Sequence, residues 1–150
     1  MKYEIYSDLV IARDFHVFEF VSTGKFGHIP KRIAFIPTEL PEVYNLAFGD
    51  INENGEIDDY AISDNGDRSK IPATLAKVIE LYTDRFPKRW IYFRGSTNER
   101  TRLYRMAISL NLEELSEKFE IYAEAKEIPE FLPFRKNMKI MAFLVKQKIN

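Results

Sequence analysis

The sequence predicts an α+β fold: a single domain over residues 1–150, built on a mostly antiparallel sheet with two main helices packed against it. Three observations carry this prediction. The first third of the chain alternates apolar and polar residues with the period of a half-buried strand. The middle holds two stretches of helical period separated by a short apolar run, and the C-terminal part returns to strand-like alternation. With 150 residues, 45% hydrophobic and 14% aromatic, the chain can bury one sizeable core but is too short for two comfortable domains.

Taken in order, Phe15 to Val21 and Ile29 to Ile36 read as two antiparallel strands joined by the turn chemistry of Ser22 to Gly27. The Ser22-Thr-Gly-Lys fragment lacks the glycine and lysine order of a phosphate loop, and no helix follows it, so a hairpin turn is expected. Pro37 and Pro41 bracket a connector to a third strand, Val43 to Phe48, with Tyr44, Leu46 and Phe48 on one face. Asp50 to Asp58 matches the opening of an EF-hand calcium loop, with Gly55 and Ile57 in place. The closing position is Ala61, which offers no ligand, and strands flank the loop. A hairpin turning at Asn54-Gly55 and a fourth strand through Ile62 explain the same residues.

Asp64 to Asp67 turns the chain into the clearest helix, Ile71 to Phe86. Ile71, Leu75, Val78, Ile79, Tyr82 and Phe86 share one face, and Ala73, Lys77, Glu80 and Asp84 the other. Pro72 is harmless in a first turn and Pro87 ends the helix. Trp90 to Phe93 is apolar on both faces, as a central strand requires. Gly95 permits a tight turn, and Ser96 to Glu99 fits a capping box in which the Ser96 hydroxyl accepts from the Glu99 amide. Leu103, Tyr104, Met106, Ala107 and Leu110 then line the apolar face, opposite Arg102, Arg105 and Ser109. Leu112 to Phe119 continues or restarts the helix. Glu120 to Glu124 and Met138 to Val145 form a closing strand pair around a loop from Ile128 to Asn137.

Arg100 falls on the apolar side of its helix. A buried guanidinium must be met by a carboxylate, a set of carbonyls or a bound anion, because an uncompensated buried charge costs several kcal/mol. Asp59 and Asp50, on the preceding acidic strand, are the expected acceptors, and a ligand anion is the alternative. The wider charge pattern has the same polarity: every charged residue from Glu42 to Asp67 is acidic, and Arg68 to Arg105 is mostly basic. These halves either neutralise each other or present an acidic end and a basic groove.

A formal charge of -1 and a pI near 6.2 argue against a dedicated non-specific nucleic-acid binder. There is no cysteine, which excludes disulfides, thiolate metal sites and cysteine nucleophiles. His16 and His28 lie in strand-like sequence with no second histidine at metal spacing. The N-terminus has no leader-like pattern and no apolar run approaches membrane length, so a soluble cytoplasmic protein is expected. The best candidate site is the strand-to-helix turn, with Arg94, Gly95, Ser96, Thr97 and Arg100 receiving a phosphate or carboxylate, joined by Arg68 and Lys70. Asp50 and Asp59 are the candidate metal ligands, but adjacent Asp58 and Asp59 on a strand point to opposite faces, and no metal is expected. This favours a binding or interaction protein. An enzyme and an RNA-acting toxin or antitoxin-like protein are the alternatives, and the aromatic excess outside the helices leaves room for a homodimer patch.

Asn45-Leu-Ala-Phe-Gly-Asp50, Asp58-Asp59, Asn65-Gly-Asp67, Ala73-Thr74 and Gly95-Ser-Thr-x-x-Arg-Thr-Arg-Leu-Tyr-Arg105 together resemble a bacterial family of similar-sized proteins classed only as a domain of unknown function. That resemblance implies no activity. The element order (meander, helix, strand, helix, strand pair) is similar to that of the GNAT acyltransferases. Thr97, Arg100 and Leu103-Tyr104 fall where that family has an asparagine, an alanine and Leu-Tyr. The resemblance implies coenzyme A as cofactor and Tyr104 as general acid at its sulfur. Asn65 to Lys70 departs from that family's pyrophosphate loop, with one glycine and an aspartate that repels phosphate.

Overall fold

The computed structural model describes residues 3–58, 65–125 and 130–149. Its strands are β1 (Val10–Ile11), β2 (Val17–Gly24), β3 (Gly27–Pro37), β4 (Val43–Ile51), β5 (Ile57–Asp58), β6 (Trp90–Arg94), β7 (Phe119–Ala125), β8 (Phe131–Pro133) and β9 (Ile140–Gln147). The helices are α1 (Lys70–Arg85), α2 (Asn98–Ser109) and α3 (Leu112–Lys118). The strands form one sheet in the order β1-β2-β3-β4-β6-β9-β7-β8, with β5 added to β4. Every described pairing is antiparallel except β4 with β6. The predicted α+β class is therefore the observed one.

The meander follows from its own period. Phe18, Phe20 and Ser22 of β2, Ile33 and Phe35 of β3, and Leu46 and Phe48 of β4 all point to one face and are buried there. The chain reverses through Gly24 and Gly27 between β2 and β3, where Gly27 has a φ of 87°. The Asn54-Gly55 hairpin is also formed: Asn52 Oδ1 accepts from the amides of Asn54 and Glu56, at 2.9 and 3.0 Å. Only Ile57–Asp58 of the expected fourth strand is described, and the rest of it, with Asp59, lies outside the described residues.

Helix α1 crosses from the meander to β6, so that β6 runs parallel to β4, as a helical crossover requires. Its apolar face covers the buried side of the sheet, with Tyr82 stacked on Phe35 at 3.8 Å. Ala73 does not lie on an exposed polar face as expected; it is fully buried. α1 packs on α2 as well as on the sheet, so the side opposite its main stripe is also covered. On the far half of the same face, Phe93 meets Tyr104 of α2 edge to face and stacks on Phe143 of β9, both at 5.3 Å. α3 restarts the helix after Asn111 and inserts Leu115. Two strands were not anticipated: β1, and β8 within the supposed loop after Ile128.

Candidate functional site

Because β4 and β6 are parallel, their carboxyl ends lie at the same end of the sheet, and α1 and α2 both begin there. Asn65, just before α1, fixes this arrangement. Its Nδ2 donates to the Gly27 carbonyl at 3.0 Å and the Ser22 hydroxyl at 3.1 Å, and its carbonyl accepts from the Lys25 amide. β4 and β6 pair only through Val43–Asn45 and Trp90–Tyr92. Further along the same edge of β4, β5 pairs at Asp50 and Ile51. Between these contacts no described strand pairs with the stretch from Leu46 to Gly49 on that edge, and the chain that continues from β5 along it lies outside the described residues. In open α/β sheets ligands bind outside the carboxyl ends of parallel strands, and β4 with β6 is the one described parallel pair here.

The predicted turn residues do sit together at the end of β6, with one correction. The cap of α2 is Thr97, not Ser96: the Thr97 hydroxyl accepts from the Arg100 amide at 3.1 Å, and its carbonyl accepts from Thr101. Ser96 and Glu99 are exposed and the predicted capping box does not form. Gly95 is required by its own helix, since a Cβ there would meet the Thr101 amide nitrogen and hydroxyl at 2.3 Å. Arg94 remains half-exposed, with its Nη1 3.8 Å from Glu124. Glu99 already places a carboxylate in the first turn of α2, where it complements the helix dipole.

Arg100 is buried, at 9% exposure, as its wheel position predicts. Its guanidinium carbon lies 4.9 Å from the centre of the Phe48 ring, between α2 and β4, so it turns into the helix-sheet interface rather than to the open side of the turn. Asp50, one of its two expected acceptors, pairs with Lys31 instead, and Asp59 lies outside the described residues. Tyr104, the candidate acid, is 3% exposed against Phe93.

Arg68 and Lys70 reach the same end of the sheet at the start of α1. Arg68 is exposed, and Lys70 lies over the Tyr6 ring at 4.3 Å. Beneath them Asp67 accepts hydrogen bonds from Tyr6 and Ser22, both at 2.5 Å. Burial, followed by the bond to Asp67, pushes the Tyr6 hydroxyl above the usual phenol range. Among the described residues no group of three or more His, Asp or Glu could hold a metal ion.

Three features escaped sequence reasoning. Lys31 is buried at 3% exposure, on the apolar phase of β3 set by Ile33 and Phe35. The period-two pattern already places it there, by the same logic that marked Arg100. Arg89 lies 3.8 Å from the centre of the Phe86 ring and 4.2 Å from that of Tyr44, and its Nη1 donates to the Tyr82 hydroxyl and to His16 Nε2. No local pattern connects residues that far apart in sequence. The third is the face of the sheet that no described helix covers. There Val17, Ala34 and Ala47 form the floor of a groove of about 700 Å³, walled by Val10 and Ala12 on one side and by the β4–β5 hairpin on the other.

Residues 2–148 match a family of unknown function, DUF6934, and the chain belongs to it. No curated protein and no solved structure matches the chain. No described helix is long and apolar enough to cross a membrane.

Proposed function

We propose that this is a binding protein that receives an anionic group of a ligand or partner at the carboxyl ends of β4 and β6. The supporting observation is that α1 and α2 both begin at this end of the sheet, with Arg68 and Lys70 at the start of α1 and Arg94 at the end of β6. Helix amides and a guanidinium fork suit a phosphate or carboxylate, and the dipole of α1, whose first turn holds no acidic residue, favours its charge. A thermal-shift series with inorganic phosphate, a nucleotide and coenzyme A tests the reading. A saturable rise in Tm is expected, lost in an Arg68→Gln/Arg94→Gln double variant and retained in Arg102→Gln. If no anion shifts the melting, or if the shift survives the double variant, the reading fails.

GNAT-like acyl transfer is the second reading, favoured by the element order and by the end of the β4–β6 pairing at Asn45. Under it coenzyme A is the ligand and Tyr104 the acid. Coenzyme A alone would then raise Tm, and Tyr104→Phe would bind it without turnover. Fold analogy by itself licenses no activity, so this reading stands or falls on that result.

A further inference from the structure

We propose that the uncovered face of the sheet is a self-association surface whose occupant is a second copy of this chain. The face has two unlike halves. Across β2, β3 and β4 the residues in register are Val17, Ala34 and Ala47, so the floor is made of small side chains. The hairpin tip is held over it by a 2.6 Å hydrogen bond from Arg32 Nη1 to the Gly55 carbonyl. Across β6, β7 and β8 the same face carries bulky rings instead. Trp90 lies 6.0 Å from Tyr122, and Tyr92 meets Phe131 edge to face at 6.1 Å. A concave aliphatic half beside an aromatic half is self-complementary under a two-fold axis, since the aromatic part of each copy can seat in the groove of the other.

The charges on this face agree with that occupant. Arg32 Nε is 2.6 Å from Glu19, and Arg94 lies beside Glu124. Lys146 of β9, on the same face, lies over the Trp90 ring at 5.3 Å and has Glu120 as its cross-strand partner. Cations and carboxylates thus alternate on this face, which presents both signs to an identical face. Exposure is high where covering is needed: Val10 is 67% exposed, Ile36 47% and Val21 46%. Patches of this kind mark interaction sites rather than solvated sheet. The outermost strands are poor templates for edge pairing, because β1 has 2 residues and β8 has 3 and ends at Pro133.

Sedimentation velocity of the full chain over a wide concentration range tests the inference. Trp90, the one tryptophan, serves as a second reporter because it sits on this face. The expected result is a concentration-dependent dimer with a blue shift of Trp90 emission. Ala47→Arg in the groove and Phe131→Ala in the aromatic half should both give monomers with unchanged circular dichroism. A wild-type chain that stays monomeric, or a dimer that persists in both variants, overturns the inference. So does a monomer whose Trp90 emission is quenched by single-stranded RNA, which would make the face a nucleic-acid platform. Arg94 borders both surfaces, so the two readings are kept apart by their readouts: association is measured here without added anion, and anion binding by the ligand-induced rise in Tm.

Discussion

On β6, Ile91 and Phe93 are fully buried beneath the helices, while the alternate residues Trp90 and Tyr92 of the same strand stand half-buried on the other side, with no described helix over them. One five-residue strand thus serves two environments. The covered side is a packed interior in which rings stack at contact distance and cations are held against partners. The uncovered side is apolar without being packed, and its charged groups are neutralised in place. Stability is therefore expected to reside on the first side and recognition on the second. The site proposed at the carboxyl ends of β4 and β6 lies at the end of the sheet, where the two sides meet.

The largest test of this contrast is truncation of neighbours on β6. Phe93→Ala should destabilise the protein by about 3 to 5 kcal/mol, because a large buried ring leaves a cavity between Tyr104 and Phe143. Tyr92→Ala removes only one edge-to-face contact with Phe131 and should cost about 1 kcal/mol in dilute solution. Urea denaturation of both variants measures the difference; equal losses would mean that the uncovered face is packed in the monomer.

The next effect compares two arginines of one helix. Arg100→Ala removes a buried cation from the Phe48 ring and should cost at least about 2 kcal/mol, the scale of a desolvated cation–π contact. Arg102→Ala, exposed on the opposite side of α2, should fall within about 0.5 kcal/mol of the wild type. If the two variants melt alike, and Arg100→Ala instead abolishes the anion-induced shift, then Arg100 belongs to the binding surface rather than to the interior.

What could be read from the sequence divides along the same line. The meander, α1, α2 and the closing strands were legible because burial on one side imprints a period of two or 3.6 on the residues that make it. The inward turn of Arg100 was legible for the same reason. β1 and β8 were not, since strands of 2 and 3 residues are too short to show a period. The burial of Ala73 was missed because a helical wheel assumes one neighbour, and α1 has both the sheet and α2. The cap was placed one residue early because Ser96 and Thr97 are both good caps, and only the first has an acidic residue three positions on. The chain instead takes the register in which Gly95 fits against Thr101. The groove was invisible because its floor depends on which strands are neighbours.

The smallest predicted effect lies at the opposite end of the sheet from the candidate site, where polar side chains tie the rim of the covered face. Asp84, near the end of α1, accepts from Gln147 of β9 at 2.7 Å and pairs with Lys118 of α3 at 2.7 Å. Burial alone would raise its carboxyl, but the hydrogen bonds from Lys118 and Gln147 outweigh it and hold the group below its ordinary value of 3.8. A carboxyl depressed in the folded state stabilises the fold above the unfolded value, and that stabilisation is lost as pH falls through the folded one. The loss therefore begins near the ordinary carboxylate range and completes below it. The side chain is 50% exposed, so solvent screens the pair and its whole worth is at most about 1 kcal/mol. Asp84→Asn should be slightly less stable than the wild type at neutral pH, should match it in strong acid, and should lose part of the difference at high salt. Urea midpoints measured across pH decide it: a deficit that persists unchanged below the carboxylate range would show that the asparagine disturbs packing, and that the charge of Asp84 contributes nothing.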